Sequence, residues 1–220
     1  MKNWITSYYS TTIGKKFVMA ATGIILLGFV LVHMVGNLQI YQGQAKINHY
    51  SELLHAHGGL LWLARIVLLS CVLAHIVAAV QITIRNWQSR PVGYRKRGDL
   101  GVDYSARTMV WSGPIIAAFV VYHLLHLTVG SAHPSFIAAD VYHNLVEGFR
   151  VVPVSVFYII ANLLLGMHLY HGIWSLFQTV GWEHPRFNAA RRGLSTLLAV
   201  VIAAGNISIP VAVLTGVIGG

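Results

Sequence analysis

Six histidines stand inside four long apolar stretches of the sequence, where an ionisable side chain is costly unless its polar nitrogens are satisfied. They are His33, His75, His123, His126, His168 and His171. Imidazole is a strong axial ligand for haem iron, and the core of a helical bundle is where such cofactors bind. Four stretches that each offer an imidazole therefore predict two haems, each held by two histidines.

Other interpretations of these histidines are weaker. A single histidine in an apolar helix more often packs and hydrogen-bonds than binds a metal, but four stretches in succession change that balance. Zinc also accepts imidazole, yet structural zinc sites are closed and often use thiolates. The chain has one cysteine, Cys71, within an apolar stretch. This excludes a CxxC site, so any iron–sulfur cluster is expected on another chain.

The elements that position the histidines are membrane helices. The chain has 220 residues, of which 56% are hydrophobic and 10% charged, and its mean hydropathy is +0.65. Each apolar stretch reaches the ~20 residues that cross ~30 Å of hydrocarbon. We therefore predict an all-α membrane bundle, one domain over 1–220, with two b haems inside a four-helix core. The predicted spans are 17–37, 60–84, 108–131, 153–179 and 193–217.

Basic residues predict the orientation of these spans. Most of the 15 lie before span one, between spans two and three, or between spans four and five. The positive-inside rule then puts the N-terminus in the cytoplasm, and the formal charge of +9 reflects topology rather than nucleic-acid binding. The residues on this side are Lys2, Lys15, Lys16, Arg85, Arg90, Arg95, Lys96, Arg97, Arg107, Arg186, Arg191 and Arg192.

Topology pairs the histidines by depth. His33 lies near the outer end of span one and pairs with a histidine of span three. His75 lies in the inner half of span two and pairs with a histidine of span four. Depth alone slightly favours His126 over His123 as the partner in span three, although helix tilt makes a few ångströms uninformative.

Four segments resemble one family over essentially the whole chain. They are VHMVGN at 32–37, LAH at 73–75, YHLLH at 122–126 and MHLYHGIWSLFQTVG at 167–181. They resemble the single-chain, five-span, two-haem cytochrome b anchor of bacterial succinate dehydrogenases and fumarate reductases. A histidine followed six residues later by Trp174 is the most specific match.

The resemblance implies ligands and a function. It assigns the axial ligands to His33, His75, His123 and His168, and leaves His126 and His171 as neighbouring or packing residues. It implies a chain of the bacterial cytoplasmic membrane that carries electrons between quinone and soluble flavoprotein and iron–sulfur subunits on the cytoplasmic face. Such a complex serves the respiratory chain and the tricarboxylic acid cycle, and it could assemble into a higher oligomer.

Quinone chemistry needs a proton donor or acceptor beside the ring. By the resemblance, the nearest counterpart of the family's acidic residue is Glu52, in the outer loop before span two, with His55 and His57 as alternatives. On the inner side a second quinone pocket could be bordered by Gln81, Arg85 and Trp87. Weaker candidates for contact with haem propionates are Lys15, Arg107 and Ser175.

Two other functions stay open at this point. One is the haem b anchor of another respiratory oxidoreductase, such as a formate dehydrogenase or nitrate reductase, although the histidine spacing of those proteins is not evident. The other is a haem-free, proton-coupled carrier. Transporters usually show repeats or intramembrane carboxylates, whereas no Asp or Glu falls within a predicted span.

Overall fold

The structure is a computed structural model that describes residues 3–89 and 104–220. The described residues form helices and connecting turns, with no strand among them. The eight α-helices are α1 (Trp4–Tyr9), α2 (Thr12–Asn37), α3 (Gln44–Ala56), α4 (Gly58–Gln88), α5 (Tyr104–Leu124), α6 (Val141–Arg150), α7 (Val152–Thr179) and α8 (Asn188–Leu214). Short 3₁₀ segments precede α3 and α8, and a π-helical turn over Leu125–Val129 follows α5.

Five helical segments are long and apolar enough to cross a membrane, which confirms the predicted all-α, five-span architecture of a multi-pass membrane protein. They are Thr12–Gln42, Gly58–Gln88, Thr108–Val129, Val152–Thr179 and Pro185–Leu214. The first begins ahead of the predicted residue 17 because the Thr11 side chain caps α2 by accepting a hydrogen bond from the Gly14 N–H at 2.9 Å. The last ends at Leu214, before the predicted residue 217, in a turn through Gly216 at φ +75°.

The bundle is built from two groups of helices. Helix α7 packs closely against both α5 and α8, and α2 packs against α4. Lighter contacts of α2 with α7 and α8 join the groups. At the α7–α8 contact a Cβ added at Gly166 would lie 3.1 Å from the Ala203 Cβ, so a glycine is what lets these helices approach closely.

Two short helices close the end of the bundle that lies away from the N-terminus, which is the outer end in the predicted topology and where the sequence predicts only loops. Asp140 caps α6 by accepting a hydrogen bond from the His143 N–H at 3.0 Å. Its carboxylate also accepts from the Asn48 amide at 2.9 Å and the Gln44 amide at 3.0 Å, both on α3. Asp140 therefore fixes α6 to α3.

We expect Asp140→Ala to destabilise the folded chain by about 1–3 kcal/mol, because a helix cap and charge-assisted hydrogen bonds are lost together. Burial raises the pKa of Asp140, but the donors from His143, Asn48 and Gln44 outweigh it and hold the pKa below 3.8. The stabilisation is thus complete above that value and is lost as the pH falls through the lower pKa of the folded state. Thermal unfolding in detergent at pH 7 measures the effect, and equal stability of variant and wild type would contradict it.

Candidate functional site

The pair of imidazoles that the predicted topology makes the outer one belongs to α2 and α5. The rings of His33 and His123 have their centres 5.8 Å apart and stand nearly perpendicular, at 88°. The Asn37 side-chain amide lies 3.1 Å from the His33 Nε2. Because that amide nitrogen can only donate, the Nε2 lone pair accepts this hydrogen bond, and Asn37 would have to release it before Nε2 could bind iron. Phe29 stacks on the other side of the His33 ring at 5.3 Å, which restrains its orientation.

The inner pair belongs to α4 and α7. The ring centres of His75 and His168 are 6.3 Å apart at 55°. The Thr22 hydroxyl donates to the Val18 carbonyl at 2.7 Å and lies 3.1 Å from the His75 Nδ1. Since that hydroxyl proton is already used, we assign the proton between them to Nδ1, which leaves the lone pair of His75 on Nε2. The buried Nδ1 of His168 has no hydrogen-bond partner among the described residues.

Both pairs join helices that do not pack tightly against each other. In the described part of the chain, α2 makes few close backbone contacts with α5, and the same holds for α4 and α7. The imidazoles therefore face each other across gaps in the bundle. All four histidines are partly exposed as whole residues, so they line these gaps.

The separation of the rings fits a shared iron. A metal–imidazole bond is about 2 Å long and the ring centre lies about 1 Å behind the nitrogen, so imidazoles on opposite sides of one iron have centres about 6 Å apart. The observed 5.8 and 6.3 Å match this value. Within residues 3–89 and 104–220, no cluster of three or more His, Cys, Asp or Glu could hold a metal ion.

Small residues border the inner pair. A Cβ added at Gly23 would lie 3.6 Å from the His75 Cε1, in ordinary contact. Gly172 follows His168 by four residues and so lies on the same helical face. A Cβ added there would meet nothing within 4 Å. Gly172 is exposed, so the open space at that residue lies at the surface of the bundle, whereas Gly23 lies in direct contact with His75.

His126 has a different environment from His123. It is fully buried, its Nδ1 lies 2.9 Å from the Tyr158 hydroxyl, and its ring stacks between Tyr122 and His133 at 5.5 and 4.9 Å. It is His123 that lies beside His33. The weak preference for His126 from depth alone therefore does not agree with the side-chain positions. His126 lies in the π-helical turn Leu125–Val129 that follows α5, and its ring packs against Tyr158 and His133 and not beside His33.

The predicted outer quinone residues lie on or next to α3. Glu52 is 70% exposed at its side chain and pairs with His49 at 3.6 Å between Oε2 and Nδ1. This is not the desolvated position that a carboxylate at a haem edge would occupy. The Nδ1 atoms of His55 and His57 lie 2.8 and 3.2 Å from the backbone carbonyls of Ser51 and Leu53. Leu53 is itself 52% exposed, so Glu52 neighbours an apolar surface.

Of the three predicted inner quinone residues, the structure places two in the lining of one cavity and the third outside it. Arg85 lines a cavity of about 440 Å³, and its Nη1 donates to the Ser10 carbonyl and the Thr12 hydroxyl at 3.2 and 3.0 Å. The cavity is also lined by Thr6, Tyr9, Ser10, Lys15, Gln81, Ile84 and Gln88. Trp87 does not line it and is 65% exposed.

Tyr9 was missing from the predicted inner site because it approaches from the N-terminal helix. Its hydroxyl donates to the Gln81 side-chain carbonyl at 3.2 Å, a contact between residues far apart in the sequence. Among the candidates for contact with haem propionates, Lys15 lines the same cavity and Ser175 is half-buried on α7. The side chain of Arg107, and all of Arg90, Arg95, Lys96 and Arg97, lie outside the described residues.

Comparisons with protein-family models, curated proteins and solved structures found no match to this chain.

Proposed function

We propose that this chain is the di-haem cytochrome b anchor of a succinate:quinone oxidoreductase. The observation that carries the proposal is the pair of imidazole contacts, His33 with His123 and His75 with His168, each at a spacing that suits one iron. The resemblance of the histidine segments to this family supports the specific assignment. The chain would act as a subunit of the enzyme, and the dicarboxylate site would lie on a partner.

The four histidines would be the axial ligands of two b haems. A haem with two imidazole ligands supplies one-electron transfer and keeps no open coordination position for oxygen. The protein's part is to hold the rings. Thr22 fixes the Nδ1 side of His75, in the way that hydrogen-bond partners commonly orient metal-binding histidines. Asn37 contacts the Nε2 of His33, and this contact would give way to iron at the same nitrogen.

Flavoprotein and iron–sulfur subunits are proposed as partners on the cytoplasmic face. The positive-inside rule supports a cytoplasmic N-terminus for this chain in a bacterial inner membrane. The same face carries most of the basic residues and the cavity between α1, α2 and α4. The 85–107 loop, the N-terminal tail and the 180–192 loop would bind these partners. Residues 90–103 of the first loop lie outside the described residues.

Quinone is the proposed membrane substrate, and two places could receive it. On the outer side, Glu52 is positioned to exchange protons with water while the neighbouring apolar surface of α3 meets lipid. On the inner side, Arg85 and Gln81 line the cavity described above. Trp87 lies beside this region on α4 and could contact a quinone only from outside the cavity.

Purification of the chain from its native membrane tests the proposal. We expect a reduced-minus-oxidised absorption spectrum of low-spin b haem, together with one flavin-containing and one iron–sulfur subunit that co-purify. The haem b anchor of another oxidoreductase would give the same spectrum with different partners. A chain without haem absorption would favour the proton-coupled carrier and contradict the proposal.

A further inference from the structure

A buried tyrosine of α7 stands between His123 and His126. Tyr158 is 4% exposed. Its hydroxyl oxygen lies 2.9 Å from the His126 Nδ1 and 3.4 Å from the His123 Nδ1. One hydroxyl thus faces two imidazole nitrogens, one belonging to the outer pair and the other to a histidine behind it.

His126 is held rigidly in this arrangement. It lies in the π-helical turn Leu125–Val129, a type of irregularity that is frequent at functional sites. A Cβ added at Gly148 would lie only 2.7 Å from the His126 Cε1 and 2.9 Å from its Nε2. Helix α6 can therefore press against the ring only because residue 148 is a glycine. His133 stacks on the ring at 4.9 Å and is itself bound to the Asn144 carbonyl at 2.8 Å through Nε2.

The positions of the protons follow from counting donors. A tyrosine hydroxyl has one proton and can accept as well as donate. A neutral imidazole that gives its Nε2 lone pair to a metal keeps its proton on Nδ1. The hydroxyl of Tyr158 therefore donates to the Nδ1 of His126, at the shorter distance, and accepts from the Nδ1–H of His123. His126 must then accept at Nδ1 and carry its own proton on Nε2, a buried atom with no hydrogen-bond partner among the described residues.

We propose that Tyr158 is a positioning residue for His123 and that His126 is the acceptor that orients its hydroxyl. The hydrogen bond from the His123 Nδ1–H fixes the ring of His123 and makes its Nε2 a stronger electron donor. Donation from Tyr158 to His126 strengthens that bond further, because hydrogen bonds in a chain polarise one another. A more basic ligand favours ferric iron, so the network lowers the midpoint potential of the outer haem. The inference rests on the proposed function.

The test compares four variants of the intact complex by redox titration and electron paramagnetic resonance. The outer haem is the one whose signals are absent in His123→Ala. In Tyr158→Phe both haems should remain, the midpoint potential of the outer haem should rise, and its g-values, which respond to the angle between ligand planes, should shift. The inner haem should be unchanged. Tyr122→Phe removes a hydroxyl from the same aromatic cluster and should leave both haems as in the wild type.

His126→Leu provides an independent test, since it removes the acceptor of the Tyr158 hydroxyl while it leaves Tyr158 in place. The potential of the outer haem should rise in the same direction, by less than in Tyr158→Phe. If Tyr158→Phe fails to hold the outer haem, an unchanged potential in His126→Leu overturns the inference. Unchanged potentials in both variants, in a complex with two haems, overturn it and leave the proposed function standing. A wild-type chain without haem overturns both.

Discussion

His123→Ala should remove one of two haems and leave the other, whereas His126→Ala should leave both bound. The reason is geometric, since the ring of His123 lies 5.8 Å from that of His33 while His126 is fully buried against Tyr158, Tyr122 and His133. His33→Ala should give the same loss as His123→Ala. His75→Ala and His168→Ala should remove the other haem.

The measurement is a pyridine haemochrome assay of each purified variant, with the reduced spectrum used to tell the two haems apart. His171→Ala is the matched control in α7, because it changes a histidine three residues from His168. The assignment of span three is wrong if His126→Ala loses a haem and His123→Ala keeps both. The pairing is wrong if His33→Ala and His123→Ala lose different haems.

Glu52→Gln should slow quinone turnover by about 10² or more, the low end of what a general acid or base commonly contributes. The change keeps the shape of the side chain and removes its ability to exchange a proton. Because Glu52 is exposed on α3 and the four histidines lie on other helices, both haems should stay bound. Succinate oxidation by a water-soluble electron acceptor should also survive.

Glu147→Gln is the matched control for this variant. Glu147 is another carboxylate of the outer end, it pairs with Arg150, and its substitution should leave quinone turnover near the wild-type rate. Turnover by Glu52→Gln that equals the control would reject Glu52 as the proton-exchanging group. Attention would then move to His55 and His57, or to the inner cavity lined by Arg85.

The spans were predictable from the sequence because a helix that crosses a bilayer must be long and apolar, and both properties can be measured from the hydropathy of the sequence. Helix ends were less predictable. The hydrocarbon boundary does not end a helix, and a cap such as Thr11 sets the start of α2 outside it. Helix α6 could have been predicted from the sequence. Asp140 is a residue type that caps helices, and the apolar residues at 141, 145, 146 and 149 follow it at helical spacing. Helix α3 has no such pattern and depends on contacts with Asp140.

Within the candidate site, the histidines were visible in the sequence because an imidazole in an apolar stretch is rare. Their neighbours were not. Thr22 contacts His75, and Tyr158 contacts both His123 and His126, across large separations in the sequence. Threonine and tyrosine are also ordinary residues of membrane helices. Only the packing of α2 on α4 and of α5 on α7 brings these hydroxyls to the imidazoles.

The most direct measurement is the amount of haem b per chain in the purified wild-type protein, determined by pyridine haemochrome absorption against quantitative amino-acid analysis. Two histidine pairs at spacings that suit one iron each predict two haems per chain, both low-spin. A value of one haem per chain would contradict the second site, and the absence of haem would contradict the account as a whole.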